Sequence, residues 1–412
     1  MFDNREYTNN HYVPQWYQRR FLEDGQTNGT IQLLDLNPPV FFDRSGVEHP
    51  ANELRTRSIE KSFKEDDLYT LRNGTQRSTI IEQKFFGGID GFGKNAVDYF
   101  TNFEHPSIDA RAARNMVTYM SAQKLRTPKG LGWLSQVVGA DDRNILLTRM
   151  MQLKDLYSAV WTGCIWQIAD ASQSDTKFIF SDHPVTVYNR RLLPGSHGNR
   201  GFNDPDVRYN ASHTIFPLSR EKVLVLTNKS WAKNPYQNAL QLRPNSSFFR
   251  DAVFNFLSIQ THRHLSEQEV RQINYIVKKR ALRYVAAGNK DWLYPEKHIN
   301  EEEWGHFGNG YLLMPDPRPL SGGGQIYFGY PDGRTEAFDA DERRPWQQGY
   351  DPDGGSDMSM LLRFKAEFAL MHGPYRRGRS FWMATLDDER DSDDYHRATI
   401  DQGRLRLPGE GI

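Results

Sequence analysis

The spacing of apolar residues changes several times along the chain and predicts both helices and strands up to about residue 295. Apolar positions that recur every three to four residues predict helices over 79–86, 94–103, 108–125, 143–169, 245–258 and 266–287. Short apolar runs between turn residues predict strands over 31–36, 177–187, 214–217 and 222–227. The pattern therefore predicts an α+β fold in which a mainly helical domain surrounds one small mixed sheet.

The residue pattern becomes richer in glycine, proline and aspartate in the last quarter of the chain. Two apolar runs, 325–328 and 335–338, flank a Pro-Asp-Gly turn and predict a hairpin. Residues 358–372 have the spacing of one amphipathic helix. We therefore expect two parts, a mixed α/β domain over 1–295 and a loop-rich, acidic, Gly/Pro-rich C-terminal appendage over 296–412.

Charge supports the same division, although the whole chain is neutral with 52 basic and 52 acidic residues. Residues 296–412 hold 14 Lys and Arg against 22 Asp and Glu, a balance of −8. The remaining 295 residues hold 38 basic and 30 acidic, a balance of +8. This asymmetry indicates either a basic functional surface with an acidic partner segment, or two ordinary solvated parts that attract each other weakly.

Several classes of protein are excluded or disfavoured by what the sequence contains. The single cysteine, Cys164, permits neither an intramolecular disulfide nor a cysteine-based zinc site. The first twenty residues lack the apolar stretch of a secretory signal, and no run is apolar enough to span a membrane. Gly87, Gly88, Gly91 and Gly93 are expected to interrupt a helical pattern, but not at dinucleotide-loop spacing. We therefore expect a cytoplasmic protein with no membrane partner.

Candidate catalytic residues come from polar segments that simple packing would not need. His11 could act as a general base or metal ligand, or hydrogen-bond a strand edge. Asp182 could be a metal ligand or base, or could cap the turn made by Pro184. Arg126 could clamp a phosphate with its planar guanidinium, or pair with the carbonyls that end its helix.

Candidate substrate-binding residues are Gln15, Arg19, Asn274 and His183. Gln15 and Asn274 carry amides that could orient a substrate or a water molecule. Arg19 could contact an anion or pair with an acidic neighbour. His183 stands beside Asp182 where the predicted strand 177–187 breaks at its proline. No metal ligand set can be assigned, although a divalent metal could take part.

Six short motifs, in order, resemble the bacterial domain of unknown function 4238 over roughly residues 9–290. They are His11-Tyr12-Val13-Pro14-Gln15 with Arg19 or Arg20 and Phe21, Phe85-Phe86 with Ile89-Asp90, Gln123 to Pro128, Ser181-Asp182-x-Pro184-Val185, Phe216-Pro217-Leu218-Ser219, and Asn274. The chain departs from the family at His183, where Asn is usual, and at Asp90, where Glu is usual. The resemblance implies a shared fold and marks motif positions, without implying an activity.

Three functional hypotheses follow from these residues. The first is a hydrolase that acts on a phosphate-bearing substrate, RNA or a nucleotide, by metal-assisted or acid/base chemistry. The second is a non-catalytic binding module, such as a sensor or toxin-like partner in bacterial defence. The third is a buried structural network. If the first holds, His11, Arg126 and Asp182 should meet in one site; the oligomeric state stays open.

Overall fold

The computed structural model describes residues 9–26, 29–103, 109–255, 259–299, 304–308, 313–321, 324–339, 341–346 and 358–372. Strands within these ranges form two sheets of more than two strands and four two-stranded ribbons. No helix in these ranges is both long enough and apolar enough to cross a membrane.

The larger sheet has five strands in the order β11-β12-β13-β9-β14 and forms the centre of the fold. Its strands are β9 (Cys164–Asp170), β11 (Thr186–Asn189), β12 (Ser212–Pro217), β13 (Lys222–Asn228) and β14 (Ile259–His264). All pairs are antiparallel except β14 with β9, which is parallel. Every residue of β9 and β12 is buried, which is why these strands have no simple apolar–polar alternation.

The smaller sheet is antiparallel, has the strand order β10-β15-β2-β5, and joins the two ends of the family-like region. It consists of β2 (Thr30–Asp35), β5 (Leu54–Ser58), β10 (Phe180–Ser181) and β15 (Tyr284–Ala287). The ribbons pair β1 (Asn9–His11) with β6 (Lys64–Asp66), β3 (Val40–Phe42) with β4 (Glu48–Pro50), β7 (Leu71–Asn73) with β8 (Gln76–Ser78), and β16 (Gln325–Gly329) with β17 (Thr335–Asp339).

Nine α-helices lie in the described ranges and pack mainly around the larger sheet. They are α1 (Gln15–Gln18), α2 (Gly87–Thr101), α3 (Ala110–Arg126), α4 (Pro128–Val138), α5 (Arg143–Gln152), α6 (Ser158–Thr162), α7 (Lys229–Lys233), α8 (Glu267–Arg280) and α9 (Met358–His372). Side-chain caps fix several helix starts, as Asp109 does for α3 and Thr127 for α4. Ser266 and Glu269 form the capping box that begins α8.

The prediction of a mainly helical domain around one small sheet is wrong. The fold is α+β, but the four predicted strands are divided between two sheets, and several short ribbons accompany them. The predicted strand 177–187 supplies both sheets, because β10 ends at Ser181 and β11 begins only at Thr186. Pro184 lies between the two strands, where its missing N–H and fixed φ favour a break.

Three predicted helices also differ from the structure. The segment 143–169 is divided into α5, α6 and the central strand β9, because a continuous apolar run does not distinguish a buried helix from a buried strand. The predicted helix 266–287 stops at Arg280, after which residues 284–287 form β15. Residues 245–255 form no helix, and 256–258 lie outside the described residues.

The glycines at 87–93 do not interrupt the helix as expected. Helix α2 runs through them and continues a π-helical segment, Ile81–Phe86. Gly93 faces Tyr119 of α3 so closely that an added Cβ would lie 2.3 Å from the ring. The glycine is therefore explained by close helix packing rather than by a loop.

Described residues beyond 295 take part in two apolar clusters together with the preceding part of the chain. Trp304, Phe307 and Leu313 belong to the main hydrophobic core. Phe364 and Phe368 of α9 pack in a second apolar cluster with Ile165, Trp231 and neighbouring residues. The domain boundary at about 295 stays a prediction.

Candidate functional site

Three of the residues proposed from the sequence lie together near the N-terminus of α1. Gln15 Nε2 is 3.4 Å from His11 Nε2, and Arg19 Nη2 donates to Gln15 Oε1 at 3.4 Å. His11 Nε2 also lies 3.1 Å from the carbonyl oxygen of Glu60. Burial lowers the pKa of His11, so this ring is mostly neutral at neutral pH.

Arg126 is fully buried and has its own partners. Its Nε donates to Gln123 Oε1 at 2.7 Å, and its Nη2 lies 2.8 Å from Asp90 Oδ1 in an ion pair. Burial would lower the pKa of Arg126, but Asp90 raises it above its ordinary value. The guanidinium also lies 5.1 Å from the ring centre of Phe86. Arg126 therefore joins α3 to the family-like motif on α2.

Glu82 lies near this ion pair, on the π-helical segment. Burial raises the pKa of Glu82 to about 7, while Arg126 opposes and Asp90 reinforces the shift. Its Oε2 is buried and accepts no hydrogen bond. Because π-helical turns often occur at functional sites, Glu82 is a further candidate for a functional titratable group. The sequence patterns did not indicate it.

Asp182 and Asn274 connect backbone segments rather than lining an open site. The Asp182 carboxylate accepts hydrogen bonds from the backbone N–H groups of residues 282, 283 and 284, at 2.7–2.9 Å. These bonds hold the chain where α8 ends and β15 begins. Asn274 Oδ1 accepts from Ile179 N at 3.1 Å, and its Nδ2 donates to Lys177 O at 2.8 Å.

A dense group of buried charges surrounds Asp204, and we refer to Asp204, Lys124, Lys129, Arg280 and His183 as the Asp204 cluster. Lys124 and Arg280 form short ion pairs with its carboxylate, and Lys129 Nζ lies 2.7 Å from Oδ1. His183 Nε2 is 3.1 Å from Oδ2. The cluster places three cationic side chains against one carboxylate, and each of these side chains is less than 10% exposed.

The pKa values of the Asp204 cluster reflect the excess of three cationic side chains over one carboxylate. Burial would raise the pKa of Asp204, but the three cations hold it well below its ordinary range. Burial lowers the pKa of Lys129 to about 8 and that of His183 to about 3. Burial likewise lowers the pKa of Lys124. His183 is therefore neutral, and the excess positive charge lies on the lysines and on Arg280.

Local structure fixes the Asp204 cluster where α3 meets α4. The hydroxyl group of Thr127, the α4 cap, lies 2.7 Å from His183 Nδ1 and orients the ring. Gly130 lets α4 approach the end of α3, because a Cβ there would lie 2.1 Å from the carbonyl oxygen of Lys124. Both lysines are thereby directed at the loop that carries Asp204.

An aromatic pocket of about 190 Å³ lies next to the Asp204 cluster. Its lining residues are Lys124, Leu125, Gly130, Trp133, Tyr157, His183, Phe202, Asp204, Pro205, Asp206, Val207, Arg208 and Phe248. Arg208 lies 4.3 Å from the ring centre of Phe248 and pairs with Asp206 at 2.6 Å. The pocket is thus lined by aromatic side chains, by residues of the Asp204 cluster and by the ion pair of Asp206 with Arg208.

The structure brings together only part of the predicted set. His11, Gln15 and Arg19 are neighbours, and His183 lines the aromatic pocket. Among the described residues, no hydrogen bond or ion pair joins His11, Arg126 and Asp182 to one another, and their roles in function stay predictions.

Lys129, Asp204 and Arg280 are residues of interest that the sequence patterns did not indicate. Asp204 lies in a loop without periodicity, and Arg280 is an ordinary residue for a helix C-terminus, where cations are favourable. Of these three residues, Lys129 is the one whose sequence position could have indicated a role, because a cation in the first turn of a helix is unfavourable next to the helix dipole. Such a residue needs an anionic partner elsewhere.

No group of three or more His, Cys, Asp or Glu residues in the described part of the chain could hold a metal ion. Cys164 is buried, and burial raises the pKa of its thiol. The pocket offers a ligand cationic and aromatic groups.

Comparison with known proteins identifies the family. The family model described as a protein of unknown function (DUF4238) matches residues 9–160 and 141–291. These segments cover more than half of the chain, which therefore belongs to this family. No curated protein and no solved structure matches the chain significantly.

Proposed function

We propose that this member of the DUF4238 family binds the base and a phosphate group of a nucleotide, or of a similar small molecule with a flat aromatic ring and a phosphate group, in the aromatic pocket. The observation that carries the proposal is the charge excess of the Asp204 cluster next to the pocket. Three buried cations face the carboxylate of Asp204, and an anionic ligand would balance their charge further.

The pocket wall favours a ligand with a flat ring. Trp133, Tyr157, Phe202 and Phe248 all line the cavity, and aromatic faces stack on nucleobases through contacts worth about 1–3 kcal/mol per base. A cavity of roughly 150 Å³ is enough for a benzene ring, so the 190 Å³ found here accommodates one ring. A nucleotide supplies that ring together with the phosphate.

The contact to phosphate is assigned to Lys124. Lys124 lines the pocket beside Asp204, with which it forms an ion pair, and its ammonium group lies 5.9 Å from the ring centre of Tyr157. An incoming phosphate would share this ammonium with Asp204, while Lys129 and Arg280 continue to neutralise the carboxylate. The phosphate would also favour protonated Lys124, whose pKa burial lowers.

Ligand binding is better supported than hydrolysis, because the residues first proposed for catalysis are occupied by other partners. The Asp182 carboxylate is occupied by three backbone N–H groups, and Arg126 by Asp90 and Gln123. Neither is directed at the pocket lining. Hydrolysis of a bound nucleotide remains the second hypothesis, and it requires that substrate be consumed.

Calorimetric titration with AMP, GMP, CMP and UMP tests the proposal, with adenosine and inorganic phosphate as fragments of the ligand. We expect saturable binding of at least one nucleotide, weakened at least tenfold by Lys124→Met. Lys154→Met is the matched control, because Lys154 is 39% exposed and pairs with the surface residue Asp155. Chromatography of the same mixtures detects hydrolysis.

Two results would overturn the proposal. One is the absence of saturable binding for all four nucleotides to folded protein. The other is an equal affinity of the wild type and Lys124→Met, since the pocket would then not use the cluster.

A further inference from the structure

A second group of buried cations, made of residues other than those of the Asp204 cluster, lies in the family-matched region. Lys229 begins α7, while Arg243 and Arg250 come from the loop that follows it. We refer to these three side chains around Gly163 as the basic cradle. Their side chains are 14%, 3% and 5% exposed, so the cradle is a buried cationic site.

Glu342, outside the family-matched residues, occupies the basic cradle. Its carboxylate forms a short ion pair with Arg250 and lies 3.8 Å from Arg243 Nη2 and 3.9 Å from Lys229 Nζ. The side chain is 3% exposed. Glu342 Oε1 nevertheless accepts no hydrogen bond, and Arg250 Nε donates none. One carboxylate thus fills a site with three cations and leaves polar atoms unused.

The cradle is held by groups other than Glu342. Arg243 Nη1 donates to Val160 O at 2.9 Å and to Asn228 Oδ1 at 3.0 Å. Arg250 Nη2 donates to Ala159 O at 2.9 Å. Carbonyl groups of α6 therefore orient the guanidinium groups of Arg243 and Arg250 in addition to the Glu342 carboxylate.

Gly163 makes room for the anion. A Cβ at this position would lie 2.2 Å from Glu342 Oε2 and 2.5 Å from Arg250 Nη2. Its φ lies in the region that any residue adopts, because Gly163 has φ −85° and ψ 8°. The glycine therefore leaves open the space that the ends of the Glu342 and arginine side chains occupy, and a larger residue would have to displace them.

Glu342 is presented from a constrained turn. Asp339 accepts hydrogen bonds from the backbone N–H groups of Asp341 and Arg343, at 2.9 and 2.8 Å. Glu342 itself has φ +63°, a left-handed conformation that is unfavourable for a residue with a Cβ. Asp341 of the same turn lies 3.7 Å from Lys233. The turn thus places the carboxylate of Asp341 near Lys233 of α7 and the carboxylate of Glu342 in the basic cradle.

We infer that the basic cradle is a phosphate-binding site for which Glu342 is the built-in competitor. A phosphate dianion carries more charge than a carboxylate and offers more acceptor oxygens, so it would match three cations and the unused Arg250 Nε better. Phosphate would displace the turn that carries Glu342, whose backbone strain favours release. This site is separate from the aromatic pocket, and the inference does not rest on the proposed function.

Calorimetric titration of the full chain with inorganic phosphate tests the inference. We expect Glu342→Gln to bind one phosphate at least tenfold more tightly than the wild type. Arg250→Met in the Glu342→Gln background should abolish this gain, whereas Lys124→Met in that background should leave it unchanged. Glu336→Gln is the matched control, because Glu336 lies on the adjacent strand β17 and pairs with Arg344.

Equal phosphate affinity in the wild type and Glu342→Gln would overturn the inference, as would a gain that survives Arg250→Met. If Glu342→Gln does not fold in phosphate-free buffer, its far-ultraviolet circular dichroism is compared in phosphate and in chloride of equal ionic strength. Folding restored by phosphate alone supports the site. Equal behaviour in the two salts assigns Glu342 a purely structural role and overturns it.

Discussion

Replacement of Asp204 by asparagine tests whether the Asp204 cluster depends on one buried carboxylate. The substitution conserves shape but removes the charge that Lys124, Lys129 and Arg280 share. Near 4 Å and at an effective dielectric constant of about 20, each pair contributes about 4 kcal/mol of attraction. Because desolvation of the carboxylate offsets much of this sum, removing one partner of a buried pair typically costs about 3–5 kcal/mol. We expect a loss in that range.

Urea unfolding followed by circular dichroism measures the loss, with Asp206→Asn as the matched control. Asp206 lies in the same loop, but it and Arg208 are about 30% exposed, so its loss should cost less than about 1 kcal/mol. The deficit of Asp204→Asn should also shrink between pH 7 and pH 9. Lys129 already has a pKa of about 8, and without the carboxylate its neutral form becomes dominant at lower pH.

A loss no larger than that of Asp206→Asn would refute this reasoning. It would show that the three cations are accommodated without Asp204, and the charge excess used to propose ligand binding would lose its physical basis. A deficit that grows with pH would contradict the assignment of the excess charge to the lysines.

Two further predictions concern the contact between α2 and α3. Gly93→Ala should destabilise the protein by about 1–3 kcal/mol in urea unfolding, because its Cβ would overlap Tyr119, whereas Gly88→Ala, with open space around it, should not. Glu82 has its pKa raised from 4.5 to about 7, so its stabilising effect is full below pH 4.5 and is lost as pH rises through 7. Between pH 5 and pH 8 the wild type should therefore lose about 2–3 kcal/mol of unfolding free energy relative to Glu82→Gln, and parallel pH profiles would contradict this assignment.

Local signals predicted the elements that local interactions determine. The end of α3 before Thr127-Pro128 and the capping box of Ser266 with Glu269 were both identifiable, because caps and proline act within a few residues. The runs 325–328 and 335–338 pair antiparallel across their turn for the same reason.

Elements that depend on distant partners could not be predicted in this way. Cys164–Asp170 is a strand because β13 and β14 pair with it on both sides, which no local pattern shows. Residues 282–284 leave the helix because the carboxylate of Asp182, about a hundred residues earlier, binds their N–H groups. The site has the same limitation, since its central residue Asp204 comes from a loop and its cations come from three helix ends.

The Asp204 cluster and the basic cradle differ in which part of the chain supplies their carboxylate. This difference indicates different roles for the two carboxylates. Asp204 lies within the family-matched residues, and four side chains from that same region surround it. Glu342 lies outside the match, and the arginines that face it are oriented by carbonyl groups of the matched region. A carboxylate supplied by the region itself is a fixed part of the fold, whereas one supplied by a strained turn from outside can be exchanged. Glu342 belongs to the segment with the negative balance, and the cations that it pairs with belong to the part of the chain with the positive balance.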